Sequence, residues 1–234
     1  MPNRVKDIYA LFAALALLMV LFMSPQARAD DAPAANQPGD GGTWRFRVYL
    51  DDQEIGYHHF HLAGTGDHRQ LRSEARFEYR LLFLKLFDYE HENLETWSGD
   101  CLQSIRSRTD ANGDLYAVEG RLTQSGFRIE AGEEAGSLPD CVMTFAYWNP
   151  DFLAQSRLLN SQDGTFVDVQ VSSPERDERL VGGEPRPAMR YRLKAGEMQL
   201  DLWYSDEQEW LALESEVEGG RTLRYERIAP GESS

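Results

Sequence analysis

Between Leu71 and Leu81 the chain alternates without a break: Leu71, Ser73, Ala75, Phe77, Tyr79 and Leu81 take one set of positions, and Arg72, Glu74, Arg76, Glu78 and Arg80 the other. Successive side chains of a strand point to opposite faces, so this stretch sets one face on a core and the other in water. A helix does not accommodate that period. The same pattern recurs at Trp44, Phe46, Val48 and Leu50, then from Ile55 to Leu62. Polar turns at Asp51–Glu54 and Gly64–Asp67 separate these runs and make them arms of hairpins.

Further strands are expected over 83–97, 102–108, 115–123, 127–131, 165–171, 188–193, 198–204, 210–215 and 222–227. Asn112-Gly113 marks a tight hairpin, because both residues accept the positive φ angles of a type I′ turn. The run Asp110, Asn112, Asp114 superficially suggests a calcium loop. It lacks the glycine and the distal bidentate glutamate at the required places. Alternation fails from Leu138 through "VMTFAYWNPDFLAQSRLLN", where Pro150 argues against one continuous helix. A loop followed by a short helical segment, Pro150 to Leu159 with Asn149 as N-cap, is expected there. About eleven or twelve short strands and one short helical or loop segment predict an all-β fold, a single antiparallel curved sheet or a barrel or half-barrel.

The amino-terminal end carries Arg4 and Lys6, an apolar run from Tyr9 to Met23, and the small-x-small pattern Ala27-Arg28-Ala29. That is the pattern of a secretory signal peptide over residues 1–29, and the run is shorter than the roughly 20 residues of a membrane span. The expectation is a soluble periplasmic protein with no stable membrane anchor after cleavage. Residues 30–42 lack large apolar side chains and read as a flexible leader, 43–228 as one β-barrel-like domain, and 229–234 as a disordered tail. Subtracting the net +2 of Arg4, Lys6, Arg28 and Asp7 from the formal −15 leaves −17. Such a charge disfavours nucleic acid as a partner. Cys101 and Cys141 are an even pair in an exported chain, for which a disulfide is expected.

Four of the five histidines crowd into "GYHHFHLAGTGDH" at 56–68. Phe60 and Leu62 claim the core, so His59 and His61 face water with Tyr57, while His58 points inward. A metal-dependent hydrolase using His59, His61 and His91 is the alternative, since His-x-His on one face can share a zinc ion. "HENLE" at His91–Glu95 begins like a zinc-protease motif but ends in Glu and lies in a strand. There is no nucleophile elbow, dinucleotide fingerprint or phosphate loop, and no cofactor is implied. The aromatic residues Tyr79, Phe83, Tyr89, Trp97, Tyr147, Trp148 and Trp203 are candidates to line an apolar cavity in a curved sheet.

Three stretches, "WRFRVYLDDQEIGYHHFHL", "YEHENLETWSGDCLQSIRSRTDANGD" and "LDLWYSDEQEWLALESEVEGGRTLRY", together resemble the DUF6134 family of exported bacterial proteins of unknown function, and more distantly the DUF3108 group. The resemblance spans Trp44 to Tyr225 and implies an exported β-rich domain without assigned catalytic residues. By analogy with periplasmic lipoprotein-carrier half-barrels, a curved sheet would wrap an apolar cavity. The expected function is therefore non-enzymatic binding of an apolar small molecule, a lipid or acyl chain, with Leu138–Leu159 as a lid anchored by Cys101–Cys141. An envelope scaffold without a cavity, binding another protein through a sheet edge, is the further alternative.

Overall fold

A computed structural model describes residues 41–81, 84–132, 134–181, 184–217 and 219–228. The signal peptide, most of the leader, Phe83 and the carboxy-terminal tail lie outside the described residues. The chain forms sixteen strands and no α-helix among these residues. They are β1 (Gly42–Leu50), β2 (Gln53–Thr65), β3 (His68–Leu81), β4 (Leu84–Ser98), β5 (Cys101–Ala111), β6 (Asp114–Thr123), β7 (Gly126–Ala131) and β8 (Glu134–Leu138). After an irregular segment come β9 (Arg157–Leu159), β10 (Phe166–Asp168), β11 (Gln170–Val171), β12 (Glu175–Val181), β13 (Glu184–Ala195), β14 (Met198–Tyr204), β15 (Trp210–Val217) and β16 (Arg221–Arg227).

The all-β expectation holds, and the strand count is higher than expected. The additional strands are β8, β9 and β12, and the stretch 165–171 divides into β10 and β11. β8 (EAGSL) has no β-branched or aromatic residue, and β12 (ERDERLV) is charged at its first five positions, so neither shows the composition of a half-buried strand. The expected helix over Pro150–Leu159 is only one turn of 3₁₀ helix, Pro150–Ala154. Asn149 does cap it, accepting from the Asp151 N–H at 3.2 Å, but Gln155 is already extended. Leu158 and Leu159 are both fully buried, and the extended β9 pairing with β10 satisfies their backbone there.

Fourteen strands make one antiparallel sheet in the order β11-β13-β14-β15-β16-β1-β2-β3-β4-β5-β6-β7-β8, with β12 also on β13. Register shifts at Val48/Tyr49, Tyr79/Arg80, Thr96/Trp97 and Trp203/Tyr204 are the bulges that bend so wide a sheet around itself. Gly56 lies where β2 bends against β3: at its φ of 150° an added Cβ would fall 1.9 Å from the Arg76 carbonyl oxygen. The Asn112-Gly113 turn has φ of 57° and 91°, as its sequence predicts.

The ladder ends at β8 on one side and at β11 and β12 on the other, and no strand pairing joins these ends among the described residues. The chain travels from one end to the other through the space the sheet encloses, along 139–169. Trp148 meets Trp97 of β4 edge to face at 5.6 Å, and Tyr147 stacks on Trp210 of β15 at 5.3 Å. The segment therefore touches both halves of the sheet and completes the core, in which Phe46, Phe60 and Trp210 form a continuous aromatic group. It is an internal plug, not the lid expected from the sequence.

Candidate functional site

The plug is held at its start by the Cys101–Cys141 disulfide and by the Leu102 N–H donating to the Val142 carbonyl at 3.0 Å. Beside it, the Arg69 guanidinium lies 4.6 Å above the Trp148 ring and donates to the Gly99 carbonyl. Asn149 reaches Asp100 at 2.7 Å. Farther along, Tyr89 donates to Gln162 at 2.9 Å, Thr109 to the Gln162 carbonyl at 3.1 Å, and Ser107 to the Ser161 carbonyl. Tyr204 donates to the Tyr147 carbonyl at 2.9 Å.

These polar anchors belong to an unusual row. On β4 the inward positions read Phe87, Tyr89, His91, Asn93, Glu95 and Trp97, and all six are buried. Glu95 is only 1% exposed. Its carboxyl accepts from the Asn93 amide at 2.9 Å, the Trp97 indole at 3.0 Å and the Thr144 hydroxyl of the plug. Burial pushes the Glu95 carboxyl above its usual range, against the pull of those three donors. Burial likewise lowers His91 to about 4 and holds His58 well below the ordinary imidazole value, so both rings are neutral near pH 7. His91 bonds Thr109 at 2.9 Å. His58 stacks on Phe60 at 4.1 Å and reaches the Tyr225 hydroxyl at 3.4 Å.

Of the aromatic residues expected to line a cavity, Tyr89, Trp97, Tyr147 and Trp148 share the interior, where the plug packs between the sheet walls. Tyr79 is half-buried beneath Arg221, whose guanidinium lies 4.5 Å from its ring. Trp203 is buried on the other face of the sheet. It alternates with the inward Leu202 and Tyr204, donates to Asp177 at 2.9 Å, and carries the Arg179 guanidinium 3.5 Å from its ring. The charged strand β12 thus folds over Trp203, a long-range packing event with no local sequence signal.

The structure separates the three histidines of the metal alternative. His59 and His61 lie on the outer face, His59 stacked on Tyr57 at 4.5 Å and His61 beside Thr43 at 3.1 Å, while His91 is inside. No group of three His, Cys, Asp or Glu side chains suited to a metal ion forms among the described residues.

The outer face of β3–β7 is an alternation of Arg and Glu, with ion pairs Arg76–Glu90 at 2.8 Å and Arg106–Glu119 at 3.3 Å. Shallow depressions there are walled by both signs, as on a solvated sheet face. The two ends of the sheet are less alike. The β12 end follows Pro174, bears five charged residues in succession and pairs with a β13 that holds Pro185 and Pro187. β8 has no Lys, no Pro and no bulge, and its residues before Leu138 are exposed. Among the described residues its outer side receives no backbone hydrogen bond. Sequence reasoning missed β8 and the inward Glu95. The second was within reach, since Glu95 shares its alternation with Tyr89 and Trp97.

The family model described as "Domain of unknown function (DUF6134)" matches residues 46–228. No curated protein matches the sequence. Among solved structures, the chain is similar to the crystal structure of a β-barrel-like protein of the domain of unknown function DUF1849 from Brucella abortus. The TM-score is 0.56 at 7% identity, over 81% of this chain and 96% of that one. At that identity the likeness is one of fold.

Proposed function

We propose, for a chain that belongs to the DUF6134 family of domains of unknown function, that it is a non-enzymatic binding protein of the periplasm which takes an extended segment of another envelope protein along the free edge of β8. The observation that carries this reading is the β8 edge itself. Unpaired strand edges template the addition of a further strand, and soluble proteins ordinarily block them with Lys, Pro, bulges or cover. The β12 end carries prolines inside its strand pair, at Pro185 and Pro187, and five successive charges, whereas β8 is followed by Pro139 but holds no Lys, Pro or bulge among its own five residues. The plug packed inside the sheet, with Tyr147 stacked on Trp210, favours an outside partner over an acyl chain held within, because such a chain would compete with it for the interior.

A photo-crosslinking residue placed at Ala135 in cells tests this, with Leu115, which is 77% exposed at another turn, as the comparison site. A discrete protein adduct is expected from Ala135 and not from Leu115. It should disappear in an Ala135→Lys/Ser137→Pro variant, and the β8 amides should gain protection from hydrogen exchange in the complex. Adducts of equal yield from both sites, or β8 amides unchanged in the complex, would sink the idea. Saturable binding of a fluorescent fatty acid would move the ligand back inside the sheet.

A further inference from the structure

On the outer face one row of side chains crosses β4 to β8 as Thr96, Ser104, Arg121, Arg128 and Ser137. Arg121 and Arg128 are direct cross-strand partners, both are exposed, and the row holds no acid. Like charges set directly opposite on a sheet destabilise it. Other arginines of this face are placed differently: Arg76 lies opposite Glu90 and Arg106 opposite Glu119, and each forms an ion pair there. Among the described residues neither Arg121 nor Arg128 forms one. A depression lined by both of them, with Ser104, Arg106, Glu119 and Glu130, opens on this face.

The far neighbour of Arg128 is Ser137 of β8, where the ladder ends among the described residues. A strand added to β8 continues the row and puts one residue opposite Ser137, about 10 Å from the Arg128 backbone across two strand spacings. Ser137 is too short to fill that interval. An acidic side chain on the added strand and the Arg128 guanidinium therefore meet above it, with Arg121 behind. Two guanidiniums donating to one carboxylate form charge-assisted hydrogen bonds and relieve the repulsion within the pair. Ala135 is equally small, but its row neighbour on β7 is Glu130, which forms no ion pair among the described residues. A second acid two residues along the added strand meets that carboxylate instead, so the preference changes sign over two residues and selects a register.

We infer that the extended segment taken by β8 carries one carboxylate, Asp or Glu, at the position opposite Ser137, where Arg128 and Arg121 hold it. The inference rests on β8 being the binding edge and adds the chemistry by which that edge chooses its segment. Main-chain hydrogen bonds along an edge supply affinity whatever the sequence, and the alternate side chains supply the choice. The chain is strongly acidic as a whole, which disfavours a uniformly acidic partner. One placed carboxylate is selected, not acidity in general.

Selection of short random peptides, displayed on phage, against the purified protein tests the inference. Peptides whose binding is lost on the edge-blocked Ala135→Lys/Ser137→Pro variant are expected, and they should share one Asp or Glu at a fixed place in an otherwise variable sequence. Replacing that acid by its amide should weaken binding about fivefold, Arg128→Gln should do the same, and the two changes together should cost little more than either alone. Arg128→Glu should turn the selection towards Lys or Arg at the same place. Arg76→Gln, at an ion-paired arginine on β3, should bind like the parent protein. Arg128 is exposed and faces a like charge, so Arg128→Gln should melt at or above the parent temperature. Edge-dependent peptides with no shared acid, or an affinity unmoved by Arg128→Gln, overturn this inference and leave β8 standing as the binding edge. Peptides that bind the edge-blocked variant as well as the parent, or no bound peptides at all, overturn the reading of β8 and this inference with it.

Discussion

Glu90 and Glu95 stand five positions apart on β4 and on opposite faces of the sheet. Glu90 points outward to Arg76 in an ion pair whose side chains are both more than half exposed. Glu95 points inward, is almost wholly buried, and draws three hydrogen-bond donors, one of them from the plug. In water the first interaction is screened and contributes little. In the interior the second is structural, because removing the acceptor strands three buried donors at once. The difference shows how this sheet uses polarity: on the outside for solubility, on the inside to fix where the plug sits.

The largest effect on that contrast should come from releasing the plug. Replacing both Cys101 and Cys141 by Ser opens a 40-residue closure. The chain-entropy model gives a loss of about 4 kcal/mol for a loop of that size, read as a lower urea midpoint and a fall in melting temperature. Equal stability of the oxidised and serine forms would mean that the plug is held by packing alone.

Acid should come next. An imidazole whose folded pKa lies below its unfolded value takes up its proton on unfolding. Its stabilising contribution is whole above about pH 6.5 and is lost progressively as the pH falls towards the folded value. For His91, lowered to about 4, the loss across that window is on the order of 3 kcal/mol. His58 shifts in the same direction. Urea titrations from pH 7 to pH 4 should show this slope, and a His91→Gln variant should flatten part of it. An unchanged slope in that variant would assign the acid sensitivity to other groups.

Glu95→Ala should cost about 2 to 3 kcal/mol, the penalty of leaving buried donors unsatisfied, and Arg76→Ala no more than about 0.5 kcal/mol, as for an exposed ion pair. Chemical denaturation of the two variants side by side measures the contrast directly. Similar losses from both would remove the distinction between the faces.

Much of the sheet was legible from its alternation. From Leu71 to Tyr79 the strand is amphipathic as read, and Phe60 and Leu62 do take the interior while His61 faces water. The Asn112-Gly113 turn follows from the φ angles those residues accept. The candidate site was less legible. β8 was missed because its five residues carry no strand composition, and that it ends the ladder among the described residues is a matter of pairing between distant strands. Trp203 was grouped with the interior aromatics, but its neighbours on either side are the inward residues and β12 covers it from outside.

By itself the sequence determined the period-two strands, the turns between them, the pairing of its two cysteines and the all-β class. Each of these depends on side-chain direction, backbone φ preference or composition within a few residues. Only the tertiary structure decided that 139–169 runs inside the sheet, that His91 and His59 lie on opposite faces and that, among the described residues, the two ends of the sheet do not pair with each other. Those outcomes depend on the register between strands distant in the chain and on how far the bulged sheet curls. Local periodicity carries no information about either.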